Sequence, residues 1–376
     1  MPCAISIVNT KAGLKEFIRW PHQLYRNDPL WVAPLDQDEW NTLYPNWKEN
    51  GSAKTRFLLA RRGKEIVGRI VGIAIPQDYI SGNLLRVRWG WLEAIDDPEV
   101  FSALLSAIEH WASALHAQVV QGPLGFTNLD KAGMLIKGFD ALPTIVELYN
   151  PAYYPARVEQ LGYEKAIDWI ENKLIVPGKV PEKLIQLARV IQNRYRVKTL
   201  QIRKTAELLP YGQELFRLIN ETHRHLHGFV LFDEANAATY LKKYFRLVNK
   251  DLICIVQDDR DQMIGYGIAI PSMSKAFQRA KGRLYPFGIW HIFRASRKND
   301  RADLYLIGVK DEYRNKGITA LLFEKIMQGF IDQGIREVES NPELETNSQV
   351  QALWKNYDFV QHKRRRCYQK LLDKSL

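Results

Sequence analysis

The pentapeptide Gly-Ile-Ala-Ile-Pro occurs twice in this chain, starting at Gly72 and again at Gly267, 195 positions later. Each copy ends the second strand of an expected β-hairpin. In the first half Thr55–Ala60 turns into Ile66–Pro76; in the second Leu252–Val256 turns through Asp258–Asp261 into Met263–Pro271. Further on, Gln160-Leu-Gly-Tyr163 corresponds to Asn356-Tyr-Asp-Phe359, at an offset of 196. Two matches in one order at nearly equal offsets indicate an internal duplication. The chain must then fold as two similar units, and its 376 residues suit two cores better than one.

The junction is read at Val176-Pro-Gly-Lys-Val-Pro181, which precedes an amphipathic helix from Glu182 to Tyr195 and a strand-like Val197–Arg203. The expected units are residues 1–178, a linker helix over 179–196, and residues 197–376. Each runs strand, helical region, hairpin, strand, helix, strand, helix and a final strand pair, which predicts an α/β domain with a mixed sheet. The sequence lacks an apolar run of about 18 residues, so a membrane-spanning helix is not expected. The N-terminus, Met-Pro-Cys-Ala-Ile-Ser-Ile-Val, lacks the order of a signal peptide. Cys3, Cys254 and Cys367 are too scattered for a disulfide framework or a four-cysteine zinc site. A cytoplasmic protein without a metal is the expectation. The net charge of +11 favours an anionic partner, whether coenzyme A, nucleic acid or anionic lipid.

The stretch that carries chemistry runs from Ala302 to Met327: a buried strand to Lys310, a short basic loop, then an amphipathic helix. Amides at a helix N-terminus lack partners and carry the positive end of the dipole, so they attract phosphate. Arg314 and Lys316 add charge there, and Gly317 removes a side chain that would block close approach. This strand–loop–helix resembles the pyrophosphate-binding motif of the GNAT superfamily of N-acyltransferases, Arg/Gln-x-x-Gly-x-Gly/Ala. Arg314-Asn315-Lys316-Gly317-Ile318 fits it, and Thr319 departs at the last small position. The resemblance implies two tandem domains, each a mostly antiparallel, centrally splayed sheet flanked by helices. It also implies acetyl-CoA or another acyl-CoA as cosubstrate, held by the backbone of Ile307, Gly308 and Val309 and by the loop through Thr319. A second family element, Asn-x5-Leu-Tyr-x-x-x-Gly-Phe, is matched in spacing from Asn347 through Leu353 to Phe359. Asn347 falls at a coenzyme contact. Trp354 replaces the tyrosine that protonates the leaving thiolate, Asp358 replaces the glycine, and Tyr357 stands one turn on as a substitute.

The corresponding strand of the first half, Leu85–Ala94, leads instead into Asp96, Asp97, Pro98 and Glu99. Carboxylates suit a helix start but repel a pyrophosphate, so only the C-terminal half is expected to bind the coenzyme. The glycine-rich Gln121–Gly133 is either the lining of a ligand cleft or a long turn. The resemblance implies direct attack of an amine on the thioester, with the Val309 amide polarising the carbonyl. Glu337 and Glu339 alternate on Arg336–Ser340 and share one face, as a base or as structural carboxylates. His223, His225 and His227 read as the end of a helix before Gly228, and the family's topology assigns His227 and Phe229 to the acceptor pocket. The expected function is transfer of an acyl group, acetyl first, from acyl-CoA to an amine of a small molecule. An aminoacyl-tRNA-dependent transferase and a non-catalytic acyl-CoA-binding protein are the alternatives; nucleic acid is the less favoured partner, and oligomeric state is not encoded. The basic, aromatic Ser274–Asp300 reads first as a helix pair packed on the sister half, with cover for an acyl chain, contact with anionic lipid or contact with RNA as the other readings of such a segment. The cations of His362-Lys-Arg-Arg-Arg366 are divided between two faces of the last strand.

Overall fold

The computed structural model describes residues 2–47, 53–80, 84–127, 129–224, 229–231, 249–347, 351 and 357–372. The first half supplies strands β1 (Ala4–Ile7), β2 (Lys54–Arg62), β3 (Glu65–Ala74), β4 (Tyr79–Ile80), β5 (Leu84–Ala94), β6 (Val119–Gly122), β7 (Met134–Lys137) and β8 (Glu164–Ile175). Its helices are α1 (Lys11–Arg19), α2 (Pro21–Leu24), α3 (Asp36–Trp47), α4 (Pro98–Ala114) and α5 (Tyr153–Glu159). Between the two halves runs α6 (Glu182–Tyr195), whose Ala188 and Ile191 are buried in the second half's core. The second half supplies β9 (Lys198–Thr199), β10 (Ile253–Gln257), β11 (Met263–Pro271), β12 (Arg301–Val309), β13 (Glu337–Ser340), β14 (Glu343–Leu344) and β15 (Phe359–Leu371). With them come α7 (Gly212–His223), α8 (Ser274–Ala280), α9 (Gly288–Arg297) and α10 (Ile318–Asp332).

The expected hairpins are β2–β3 and β10–β11, both antiparallel. In each half the next strand joins the hairpin antiparallel, and the strand after the following helix joins it parallel: β5 to β6, and β12 to β13. The repeated glycines explain part of this symmetry. A Cβ on Gly72 would lie 2.6 Å from the Trp111 ring on α4, and one on Gly267 would lie 2.6 Å from Ile326 Cδ1 on α10. Each half therefore keeps a glycine where its central helix presses onto the hairpin.

The two sheets are joined into one. The strand order is β1-β2-β3-β5-β6-β15-β8-β13-β12-β11-β10-β9. The last strand of the first half, β8, pairs with β13 of the second, while β15 pairs with β6 of the first. The two exchanged strands then pair with each other along Phe359–Gln369. In place of a final strand pair within each half, as expected from the sequence, each half completes the other's sheet.

Alternation along β15 divides its cations as the sequence implied. Arg364 and Arg366 turn to one face, where their guanidinium groups each bond Asp168 at 2.9 Å. Lys363 and Arg365 turn to the other and are fully buried. There Lys363 Nζ lies 2.5 Å from Glu147 and 3.3 Å from Glu171, and also bonds Glu339; Arg365 bonds Glu171, and Glu147 at 2.9 Å. Glu147, Glu171 and Glu339 are close enough to suggest a cation site. The Lys363 ammonium fills that role among the described residues.

Three carboxylates face two cations here, and one carboxyl keeps its proton more firmly. Burial raises Glu171 to about 7 against the pull of Arg365. A carboxyl raised in the folded state stabilises the fold fully below its unfolded value near 4.5, and that contribution is lost as pH rises through about 7. Buried Asp303, raised by desolvation and then by Glu339 and Glu147, acts in the same direction. The expected result is a thermal midpoint that falls from pH 5 to pH 8, with a shallower fall in Glu171→Gln; differential scanning calorimetry across that range checks it.

Candidate functional site

The site grows from the point where two parallel strands part. β12 and β13 pair only through Arg301–Leu304 and Glu337–Ser340. Asn341 holds the vertex: its backbone amide donates to Leu304 O (3.1 Å) and its side chain donates to Tyr305 O (2.7 Å). Beyond it the chain turns away into β14, which pairs with β8. Among the described residues, Leu306–Val309 of β12 is paired by β11 on one edge only.

At the far end of that free edge lies the basic loop. Asn315 (φ 62°) and Gly317 (φ 77°) both adopt left-handed backbone, which turns the chain sharply into α10. A Cβ on Gly317 would also meet Ile191 of α6 at 2.6 Å, so glycine is required twice over. α10 begins without a side-chain cap, and the amides of Ile318 and Thr319 meet no acceptor among the described residues. Lys316 holds its ammonium over the Tyr313 ring (4.6 Å) and the Tyr195 ring (5.6 Å). Arg314 pairs with Asp311 at 2.9 Å and donates to Thr222 O at 3.2 Å, tying the loop to α7. The anion-attracting elements are thus the two amides, the α10 dipole and Lys316.

Between the free edge of β12 and α10 lies a cleft of about 280 Å³. Leu306, Ile307, Leu322 and Phe323 form its apolar walls, and Asn347 stands at its lining. The first half closes it with the glycine-rich loop, through Leu124, Gly125, Thr127, Leu129 and Asp130. That loop was open to two readings in the sequence, and it lines the cleft. His223 and Phe229 complete the wall, their rings stacked with centroids 6.3 Å apart. His223 Nδ1 lies 2.9 Å from Thr222 Oγ1 and 3.3 Å from the Tyr266 hydroxyl. His223, the residue that sequence reasoning assigned only to a helix end, was marked by nothing but its histidine-rich neighbourhood.

The structure does not gather every candidate at this cleft. Ile307, Asn347 and Phe229 lie on it, and Gly308 and Val309 follow on the same strand. Glu337 and Glu339 line a different cavity, a groove of about 910 Å³ between β13 and the α8–α9 pair. Glu337 pairs there with Arg301 and Lys173, both 3.3 Å away, and Glu339 with Lys363 and with His362 at 3.2 Å. Asp303, opposite Glu339 in the β12–β13 register, shares this groove. Its signal in the sequence was a lone acid inside an otherwise apolar strand. Tyr357 packs on Phe323, ring centroids 5.7 Å apart, and burial raises its phenol to about 12. His227 and Trp354 lie outside the described residues.

The equivalent place in the first half is built differently. Leu124 N donates to Trp89 O at 2.9 Å, so the chain after β6 closes onto β5 where β12 stands free. Asp97 caps α4 by accepting from Glu99 N at 2.9 Å, and Arg62 bonds both Asp97 and Glu99. The anion-attracting end of this helix already carries its own carboxylates.

No protein-family model matches the chain. Over nearly its whole length it is similar to Protein YghO of Escherichia coli K12, at 29% identity over 372 residues covering 96% of this chain and 93% of that protein. It is similar at 28% over 384 residues to Bacterial ceramide synthase of Caulobacter vibrioides, covering 97% and 96%. Among solved structures it superposes on a tandem GNAT protein from the clavulanic acid biosynthesis pathway, with a TM-score of 0.56 at 12% identity and all of both chains covered. A GCN5-related N-acetyltransferase from Sphaerobacter thermophilus gives a TM-score of 0.51 at 12% identity, covering 100% of this chain and 97% of that one. With its splayed, doubled sheet, this chain has the fold of the tandem GCN5-related N-acetyltransferases.

Proposed function

We propose that the chain is an acyl-CoA-dependent N-acyltransferase, with one coenzyme site in the C-terminal half and the acyl group in the cleft between the halves. One observation carries the reading: the free edge of β12 runs directly to the unpaired amides of Ile318 and Thr319. An extended pantetheine arm would add to that edge along Ile307–Val309, and the pyrophosphate would rest on the loop from Arg314 to Thr319. Asn347 flanks the arm. The amine nitrogen attacks the thioester carbon, the C–S bond breaks, and coenzyme A leaves as thiolate. A thiol with a pKa of about 8.5, by analogy with cysteine, departs near neutrality without a strong acid, which suits Trp354 at the family's tyrosine position. We assign the removal of the amine proton to His223, on the cleft wall, in preference to Glu337 and Glu339 in the groove.

The walls of the cleft at Leu306, Ile307, Leu322 and Phe323 are aliphatic and aromatic, which favours an acyl chain longer than acetyl and an acceptor of lipid-like character. The name of the Caulobacter relative points the same way, since a ceramide is the N-acyl derivative of a long-chain amino alcohol. Calorimetric titration with coenzyme A, acetyl-CoA and palmitoyl-CoA tests the site, and thiol release with a long-chain amino alcohol tests the reaction. Affinity rising with chain length, and thiol release that requires the amine, are expected. Failure of folded protein to bind any of the three would overturn the reading.

A further inference from the structure

We propose that the outer face of α9 docks the protein onto an anionic lipid bilayer. This goes beyond acyl transfer and rests on the surface alone. The helix and the turn before it present Tyr285, Phe287, Ile289, Trp290 and Phe293 to solvent, with Phe287 74%, Trp290 55% and Phe293 52% exposed. Ile292 and Ala295, on the inner face, already anchor the helix against the cluster formed by Val32, Leu35, Met273 and Phe277. α8 and α9 pack on the first half, as the sequence reading expected, and a second apolar face is left over. An exposed patch of this size and composition marks an interaction surface.

The surrounding charge selects the occupant. Residues 274–299 contain seven cations and no carboxylate: Lys275, Arg279, Lys281, Arg283, Arg294, Arg297 and Lys298. A second copy laid face to face would set these cations against each other. Single-stranded RNA would need free rings for stacking, but Arg294 lies over Trp290 at 5.6 Å and Arg297 over Phe293 at 4.1 Å. A bilayer accepts both parts at once: aromatic and aliphatic side chains enter the headgroup–acyl boundary, and the guanidinium groups stay at phosphate level. On one flank Arg279, Arg294 and Lys298 continue into the 910 Å³ groove, so docking would bring that groove to the membrane surface.

The test is co-sedimentation of the full chain with vesicles of phosphatidylcholine, with and without phosphatidylglycerol. Wild type is expected to partition roughly 10-fold or more better onto the anionic vesicles. Combined Phe287→Ser, Trp290→Ser and Phe293→Ser should lose that partitioning by ~10-fold with an unchanged circular dichroism spectrum, since none of these side chains is in the core. Arg283→Gln with Arg297→Gln should weaken it while leaving the apolar face intact. Wild type that ignores phosphatidylglycerol, or a serine variant that still sediments, would overturn the proposal. So would a wild-type dimer split by the serine substitutions, or RNA binding lost in place of vesicle binding.

Discussion

Thr319→Glu is expected to weaken coenzyme A binding by ~100-fold or more while leaving the fold as stable as wild type or slightly more so. Thr319 is half-buried in the first turn of α10, and its amide is one of the two that meet no acceptor among the described residues. A carboxylate there complements the helix dipole and adds roughly 0.3–1 kcal/mol of stability. At the proposed coenzyme site the same carboxylate would occupy the place of the pyrophosphate and repel it. Losing charge-assisted hydrogen bonds worth roughly 1.5–3 kcal/mol each gives the expected loss of two orders of magnitude. Affinity and stability thus move in opposite directions, which a misfolded variant cannot imitate. Gly317→Glu is a poorer probe, because a side chain at φ 77°, 2.6 Å from Ile191, would strain the loop whatever binds there. Thr319→Ala is the control. It restores the small residue of the family motif and should bind coenzyme A at least as well as wild type. Calorimetry paired with thermal melts reads both quantities.

Local features of the chain were legible because they depend on local physics. The two hairpins, the strands β5, β12 and β13, and the helices α4, α6 and α10 all stand within a few residues of where periodicity and turn residues put them. The loop at Arg314–Thr319 was legible for the same reason: glycine, cations and a helix start are written in sequence. The exchange of β8 and β15 was not. Both final strands carry similar alternation, and nothing local says whether β8 should pair with β6 or with β13. His223 escaped for a related reason. Its proximity to Tyr266, Phe229 and the first half's Leu129 is made by folding across distant segments. Glu339 was open to two roles for the same reason. Its place on a strand face allowed a base or a structural carboxylate, and its partner Lys363 is 24 residues away while its neighbours Glu147 and Glu171 come from the other half. The division of Lys363–Arg366 between two faces was legible from strand alternation; the acids of the first half that meet them, Glu147, Glu171 and Asp168, were not.

Those acids make the second large effect. Lys363→Met should lower the stability of the whole chain by about 3–5 kcal/mol, because it leaves Glu147 and Glu171 buried with only Arg365 to balance them. Arg366→Met, on the opposite and partly solvated face, should cost no more than about 1 kcal/mol, since Arg364 and Lys165 still neutralise Asp168. Adding Glu147→Gln to Lys363→Met removes the stranded charge and should recover more than about 1 kcal/mol of the loss, a coupling that a double-mutant cycle measures. The deficit should also shrink on acidification, as Glu171 and its neighbours take up protons and need no cation. Urea unfolding at pH 5 and pH 8, followed in both halves by separate probes, checks each of these outcomes. Because β15 completes the first sheet and β8 the second, the probes should report one shared transition that moves as a unit in the variant. Two transitions, with only the second half destabilised, would mean that the strands exchanged at the seam do not couple the halves.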